Sequence, residues 1–181
     1  MAKRILFIPA GIAQLEVINK AINYGYYAIA MDGDKAAPGL KIANEAYVED
    51  ILNIEKIKYI YNKSKADAIV SVSCDIAMHA VSKACYELNI PGIKEINAIT
   101  SQNKYLQRVC LRNAGLEVPH FEKVNNYEEA IIFWDNFNLK KMIIKPIDSS
   151  GSKGVSLIFD KKNIEKAFSY ALKNSRNKNV I

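Results

Sequence analysis

Apolar and polar positions change period several times along the chain, and each change marks an element. Ile5-Leu6-Phe7-Ile8 is an unbroken apolar run, the pattern of a strand covered on both faces in a parallel sheet. After Gly11, Leu15, Ile18, Ala21 and Ile22 recur at helical spacing, and Gly25 closes that helix. Tyr26 to Met31 predicts a second strand ending at Asp32-Gly33-Asp34, and Ala37-Pro38-Gly39 predicts a turn. Ala46-Tyr47-Val48 is a short extended piece, and Ile54, Ile57, Ile60 and Tyr61 are spaced for a helix. Ala68 to Val72 predicts another buried strand, closed by Cys74, and Asp75 to Leu88 a helix that Ile90-Pro91-Gly92 ends. Strand and helix alternate throughout, which predicts a parallel sheet with helices on both faces. Ligands of such sheets bind beyond the carboxyl ends of the strands. Those ends are Pro9-Ala10-Gly11, Asp32-Gly33-Asp34 and Ser73-Cys74-Asp75.

The pattern changes after residue 93. Glu95 to Ala114 predicts helix up to Gly115, and Val118 to Val124 an extended segment. Tyr127 to Phe137 predicts a helix with Asn126 as its N-cap, with Trp134, Ile131 and Ile132 on the packed face. Met142 to Pro146 and Val155 to Phe159 predict two strands joined by the loop Asp148 to Gly154, and Asn163 to Lys173 a last helix. This order is α+β. The expected division is an α/β domain over 1–93, a helical linker over 94–117 and a small α+β unit over 118–181.

Composition narrows the class. Of 181 residues, 50% are apolar and 24% charged, which supplies a core and excludes intrinsic disorder. No apolar run approaches the ~20 residues of a membrane span. Met1-Ala2-Lys3-Arg4 leads into too short an apolar run for a signal peptide, so a soluble, cytoplasmic protein without a membrane partner is expected. The net charge of +6 invites a nucleic-acid reading, but Asn occurs 17 times beside abundant Lys and Ile. That is compositional bias, and the basic residues are scattered among acids, so no nucleic-acid partner is expected. Cys74, Cys85 and Cys110 lack metal or disulfide spacing and read as buried free thiols. With His79 and His120 the only histidines, no His-based metal site is expected.

Lys145-Pro146-Ile147-Asp148-Ser149-Ser150-Gly151-Ser152-Lys153-Gly154 is the segment richest in chemistry. Its glycines are three apart and a strand follows, so it is neither a P-loop nor a dinucleotide fingerprint. A hairpin tip can still bind an anion: Gly151 and Gly154 permit backbone conformations that turn successive N–H groups into one concavity. Ser149, Ser150 and Ser152 add hydroxyl donors. Pro146 favours extended backbone at Lys145, and alternation puts Lys145 on the face of Ile143, opposite Ile144. An ordinary Gly/Ser hairpin with a lysine at its edge is the alternative.

Ile143-Ile144-Lys145-Pro146 with Ser150-Gly151-Ser152-Lys153-Gly154-Val155 resembles the glycine-rich flap of the ATP-grasp superfamily. Asn103-Lys104-Tyr105-Leu106 with Gly115-Leu116-Glu117-Val118-Pro119 resembles the approach segment of that superfamily, with Asn103 where Asp is usual. The first ninety residues are similar to its Rossmann-like pre-ATP-grasp domain, in the style of carbamoyl-phosphate synthase large chain and biotin carboxylase. The resemblance implies ATP, with Mg²⁺ held by a later half. Lys145 would contact the α-phosphate and adenine side, and Lys104 the phosphates from the other side. The segment Ser149, Ser150, Gly151, Ser152, Lys153 and Gly154 would cover the β- and γ-phosphates. It implies a ligase that activates a small-molecule carboxylate as an acyl phosphate for attack by an amine. The hinge strand, metal carboxylates and arginine of that family would follow Asn179-Val180-Ile181. The expectation is therefore a first half that is inactive alone and seeks a second half, a separate subunit or a further copy of itself.

Three further residues are substrate-contact candidates. Gly11 and Gln14 are set against a plain strand-to-helix turn, and Asp75 against a helix N-cap. The alternative function is a non-catalytic α/β module that binds a small ligand or a partner protein. An oxidoreductase fragment is disfavoured by the missing fingerprint.

Overall fold

A computed structural model describes residues 1–181, which form two compact units, Met1–Ile99 and Thr100–Ile181. In the first unit, strands β1 (Arg4–Phe7), β2 (Tyr27–Asp32), β3 (Glu45–Val48) and β4 (Ala68–Val70) make one parallel sheet in the order β3-β2-β1-β4. Ile5 lies opposite Ala28 on one side and Ala68 on the other, so β1 is interior. Helices α1 (Leu15–Asn23), α2 (Pro38–Ile42), α3 (Ile54–Lys63) and α4 (Asp75–Glu87) cover the sheet. Leu6, Ile8, Ile29 and Met31 pack against Ile57, Ile60, Ala80 and Ala84 of α3 and α4. Phe7, Ala28 and Ala30 point the other way, onto Ile18 and Leu40 of α1 and α2. Two covered faces explain why these strands read as continuous apolar runs.

Three local expectations are corrected in this unit. Ala37-Pro38-Gly39 is the start of a helix and not a free turn: Ala37 is its N-cap and Pro38 its first residue. The Gly39 N–H donates to Ala10 O at 2.8 Å, and a Cβ at Gly39 would meet that oxygen at 2.6 Å, so only glycine allows the approach. Asp75 is not an N-cap. It is the first residue of α4, after Cys74, whose side chain makes no capping bond. The strand near Val70 also stops short of Val72, and Ser73 beyond it adopts φ 52.

The predicted helix from Glu95 to Ala114 is two helices, α5 (Glu95–Gln102) and α6 (Lys104–Asn113). Asn103 breaks the pattern. Its backbone is extended, and its side-chain oxygen accepts the N–H groups of Tyr105 and Leu106, both at 3.1 Å. In the second unit follow α7 (Tyr127–Asn136), β5 (Met142–Ile144), β6 (Ser156–Ile158), a 3₁₀ turn at Lys161–Asn163 and α8 (Ile164–Asn174). Asn126 caps α7 by accepting from the Glu129 N–H at 2.8 Å, and Glu129 reaches back to the Asn125 N–H at 2.8 Å. β5 and β6 are antiparallel, with Ile143 opposite Leu157. Ile144 and Ile158 face inward onto Ile164, Phe168 and Ala171 of α8, while Ile143 and Leu157 are exposed. On α7, Ile131 and Trp134 pack on this core but Ile132 is exposed, contrary to its expected place. Of the three thiols only Cys85 is buried; Cys74 is half-buried and Cys110 exposed.

Candidate functional site

The β5–β6 ribbon is anchored at its root by the last residues of the chain. Lys145 and Ile181 exchange both backbone hydrogen bonds at 2.9 Å, and the Ile147 N–H donates to Asn179 O at 3.2 Å. Val180 bridges both Pro146 and Val124. Residues 179–181 therefore continue the small sheet beyond β5 and supply their own chain with strand partners. Alternation along β5 leaves Lys145 on the open face with Ile143. That face forms the wall of a cavity of ≈ 660 Å³, shared with Phe121, Phe133, Leu157 and Phe159.

Three cations reach this apolar cavity, Arg108, Lys141 and Lys145, against one acid, Glu122. Burial pushes the Lys145 ammonium below the ordinary lysine pKa, and the positive charges of Arg108 and Lys104 push it further the same way. The charge of Lys145 is thus incompletely compensated by protein groups, which favours an anionic ligand.

Lys104 is the first residue of α6, placed by the Asn103 cap. Its backbone N–H donates to Ile147 O at 3.0 Å, and its ammonium donates to Ser149 O and reaches Ile147 O at 3.5 Å. The lysine that approaches from α6 and the lysine at the end of β5 are therefore brought to the same ribbon root.

Beyond that root the tip runs through three residues at positive φ: Gly151 at 64°, Ser152 at 58° and Gly154 at 77°. Ser150, Gly151, Ser152 and Lys153 are exposed, Ser149 is half-buried and Gly154 is buried. The Lys153 and Val155 N–H groups make long turns to Ser150 O and Ser152 O, at 3.4 and 3.3 Å. Left-handed residues in such a tip are the backbone geometry that can gather neighbouring amides into an anion-binding concavity.

The base of the tip is held by Asp148. Its carboxylate accepts from the Ser175 hydroxyl at 2.8 Å, the Asn177 N–H at 2.7 Å and the Arg176 N–H at 3.2 Å. Burial raises the pKa of Asp148, but these donors outweigh it and hold the carboxyl below its usual range. The buried Ser175 hydroxyl in turn accepts from the Asn179 N–H at 3.0 Å, linking the tip to the 179–181 strand.

Gly11, Gln14 and Asp75 lie at the carboxyl ends of β1 and β4 in the first unit. The Gln14 side-chain amide is buried and donates to Val72 O at 2.7 Å, which ties those two strand ends together. A Cβ at Gly11 would meet the Gln14 Oε1 at 3.2 Å. Asp75 is exposed. Asp32 serves the backbone, accepting from the Ala10 and Asp34 N–H groups at 2.9 Å each. The Ser71 hydroxyl, just after β4, is buried without a partner.

Sequence reasoning missed Arg108 and Asp148. Arg108 stands four residues after Lys104, one helical turn away, and that spacing was the available signal. The partners of Asp148 lie 27–29 residues on, and nothing in the local pattern foretells them.

A doubly wound parallel sheet followed by a helix-backed antiparallel ribbon is also the fold of the N-terminal portions of several ligases. A solved N5-carboxyaminoimidazole ribonucleotide synthetase in complex with ADP superposes with a TM-score of 0.82 at 16% identity, over 94% of this chain and 44% of that one. A biotin carboxylase from Campylobacter jejuni superposes with a TM-score of 0.75 at 21% identity, over 99% of this chain and 44% of that one. In sequence, the formate-dependent phosphoribosylglycinamide formyltransferase of Bacillus subtilis (strain 168) is 28% identical over 180 residues, 98% of this chain and 46% of that protein. The enzyme of the same name from Hydrogenovibrio crunogenus is 28% identical over 176 residues, 97% of this chain and 44% of that protein. The chain thus spans less than half the length of these relatives. No protein-family model matches it. No helix is long and apolar enough to cross a membrane.

Proposed function

We propose that the chain is the nucleotide-binding N-terminal part of an ATP-dependent carboxylate ligase, with residues 1–93 as the pre-ATP-grasp domain and 118–181 as the lid. The observation that carries this reading is the convergence of Lys104 and Lys145 on the root of a ribbon whose tip turns left-handed at Gly151, Ser152 and Gly154. Phosphoryl transfer asks chiefly for position and positive charge, because negative charge is spread over the phosphate oxygens in the transition state. Lys145 holds the α-phosphate beside the base, Lys104 approaches the chain from α6, and Ser149 to Gly154 cover the distal phosphates.

The carboxylate contacts fall to Gly11, Gln14 and Asp75. The residues present do not fit a magnesium site, since no three His, Cys, Asp or Glu side chains cluster. No step is therefore assigned to the metal in this chain. The 181-residue chain is expected to bind ATP without ligase turnover.

Titration with ATP followed by amide NMR tests the reading. Shifts at Lys145, Gly151, Ser152 and Gly154 that disappear in Lys145→Ala support it. Binding that ignores Lys145, or no shift at these amides, transfers support to a non-catalytic module.

A further inference from the structure

We propose that Arg108 is a third cationic ligand of the nucleotide, binding its α-phosphate beside Lys145; this rests on the nucleotide reading above. Lys104 and Arg108 are one helical turn apart and share a face of α6. The first of them is fixed toward the ribbon root by its bonds to Ile147 O and Ser149 O. The second lines the cavity together with Lys145.

The ion pairs of the molecule engage neither Arg108 nor Lys145. The cavity's one acid, Glu122, is an exposed residue. Two cations beside an apolar wall repel with little screening, and an anion between them turns that repulsion into attraction. A guanidinium can also grip two phosphate oxygens at once, which an ammonium cannot.

The position along the phosphate chain follows from the wall. The cavity is lined by the apolar Ile143, Leu157 and Phe159, which suit a base, and by none of the tip residues Ser149 to Gly154. Arg108, on the apolar wall, therefore meets the phosphate nearest the base.

The test compares wild type, Arg108→Gln and Arg108→Lys in titrations with adenosine, AMP, ADP and ATP, each variant first shown to be folded by circular dichroism. Arg108→Gln is expected to weaken AMP, ADP and ATP by a similar factor of about tenfold, that of one charge-assisted contact, and to leave adenosine unchanged. Arg108→Lys should recover part of the loss; if the Gln variant does not fold, the Lys variant's loss for AMP carries the test. Unchanged ATP affinity overturns the proposal, as does a loss confined to ATP, which would place the residue at the far phosphate.

Pyrophosphate separates this inference from the reading beneath it. If wild type binds pyrophosphate through Arg108 but no nucleotide, the nucleotide reading falls and with it the α-phosphate assignment. If nucleotides bind through Lys145 with Arg108 indifferent, only the Arg108 inference falls.

Discussion

Lys104 is fastened to the ribbon root through both its backbone and its side chain: its N–H donates to Ile147 O at 3.0 Å, and its ammonium donates to Ser149 O. The side-chain bond joins the ammonium to a carbonyl that an anion can replace. The backbone bond needs no side chain and keeps the start of α6 in place. Lys104→Ala should therefore leave the fold intact and weaken ATP by about tenfold or more, the scale of a lost charge-assisted contact. Calorimetric titration with a parallel melting curve checks it. A large drop in stability with unchanged ATP affinity would assign Lys104 to structure alone.

Asp148 gives the second unit an acid limit. Its folded pKa lies below the unfolded value of 3.8, so its contribution to stability is full above that value and is lost as pH falls through the lower, folded one. Asp148→Asn keeps the shape but lacks the charge. It should melt earlier at neutral pH and show a smaller loss of stability than wild type on acidification. Denaturant melts at several acidic pH values measure the difference; parallel curves for the two proteins would refute it.

Gly154 and Gly151 both have positive φ but should respond differently to alanine. At Gly154 a Cβ would meet Pro146 Cγ at 2.6 Å and Asn174 Cβ at 2.8 Å, whereas at Gly151 nothing lies within 4 Å. Gly151→Ala should cost about 1–2 kcal/mol from backbone strain alone. Gly154→Ala adds overpacking of about 1–3 kcal/mol. Chemical denaturation ranks them, and equal costs would show that the contact at Gly154 relaxes freely.

Asn103 decides that two helices, and not one, precede Gly115. Removing its side chain orphans the Tyr105 and Leu106 N–H groups, so Asn103→Ala should cost about 1 kcal/mol and Asn103→Asp almost nothing. Loss of ATP affinity in the alanine variant would show that the cap also places Lys104. The two variants behaving alike in stability would remove the cap from the account.

Arg4 shows how much a single sequence position conceals. It reads as a basic residue before a strand, yet its guanidinium donates to Ser64 O at 2.6 Å and Glu45 at 2.8 Å and lies 3.8 Å from the Tyr27 ring centre. These partners start or precede three different strands, and only the parallel register assembles them.

The order of elements and the two-faced burial of β1 and β2 were determined by the sequence itself, because an apolar run and a change of period are local properties that the backbone must obey. So were the left-handed tip around Gly151 and Gly154 and the cap at Asn126, which depend on neighbours a few residues away. What only the tertiary structure decided lies at long separation: the strand partnership of Lys145 with Ile181, the grip of Asp148 on Ser175, and the arrival of Arg108 on the cavity wall beside Lys145. Hydrogen bonds and charges act through space, and spacing along the chain carries no record of which distant groups the fold will bring within reach.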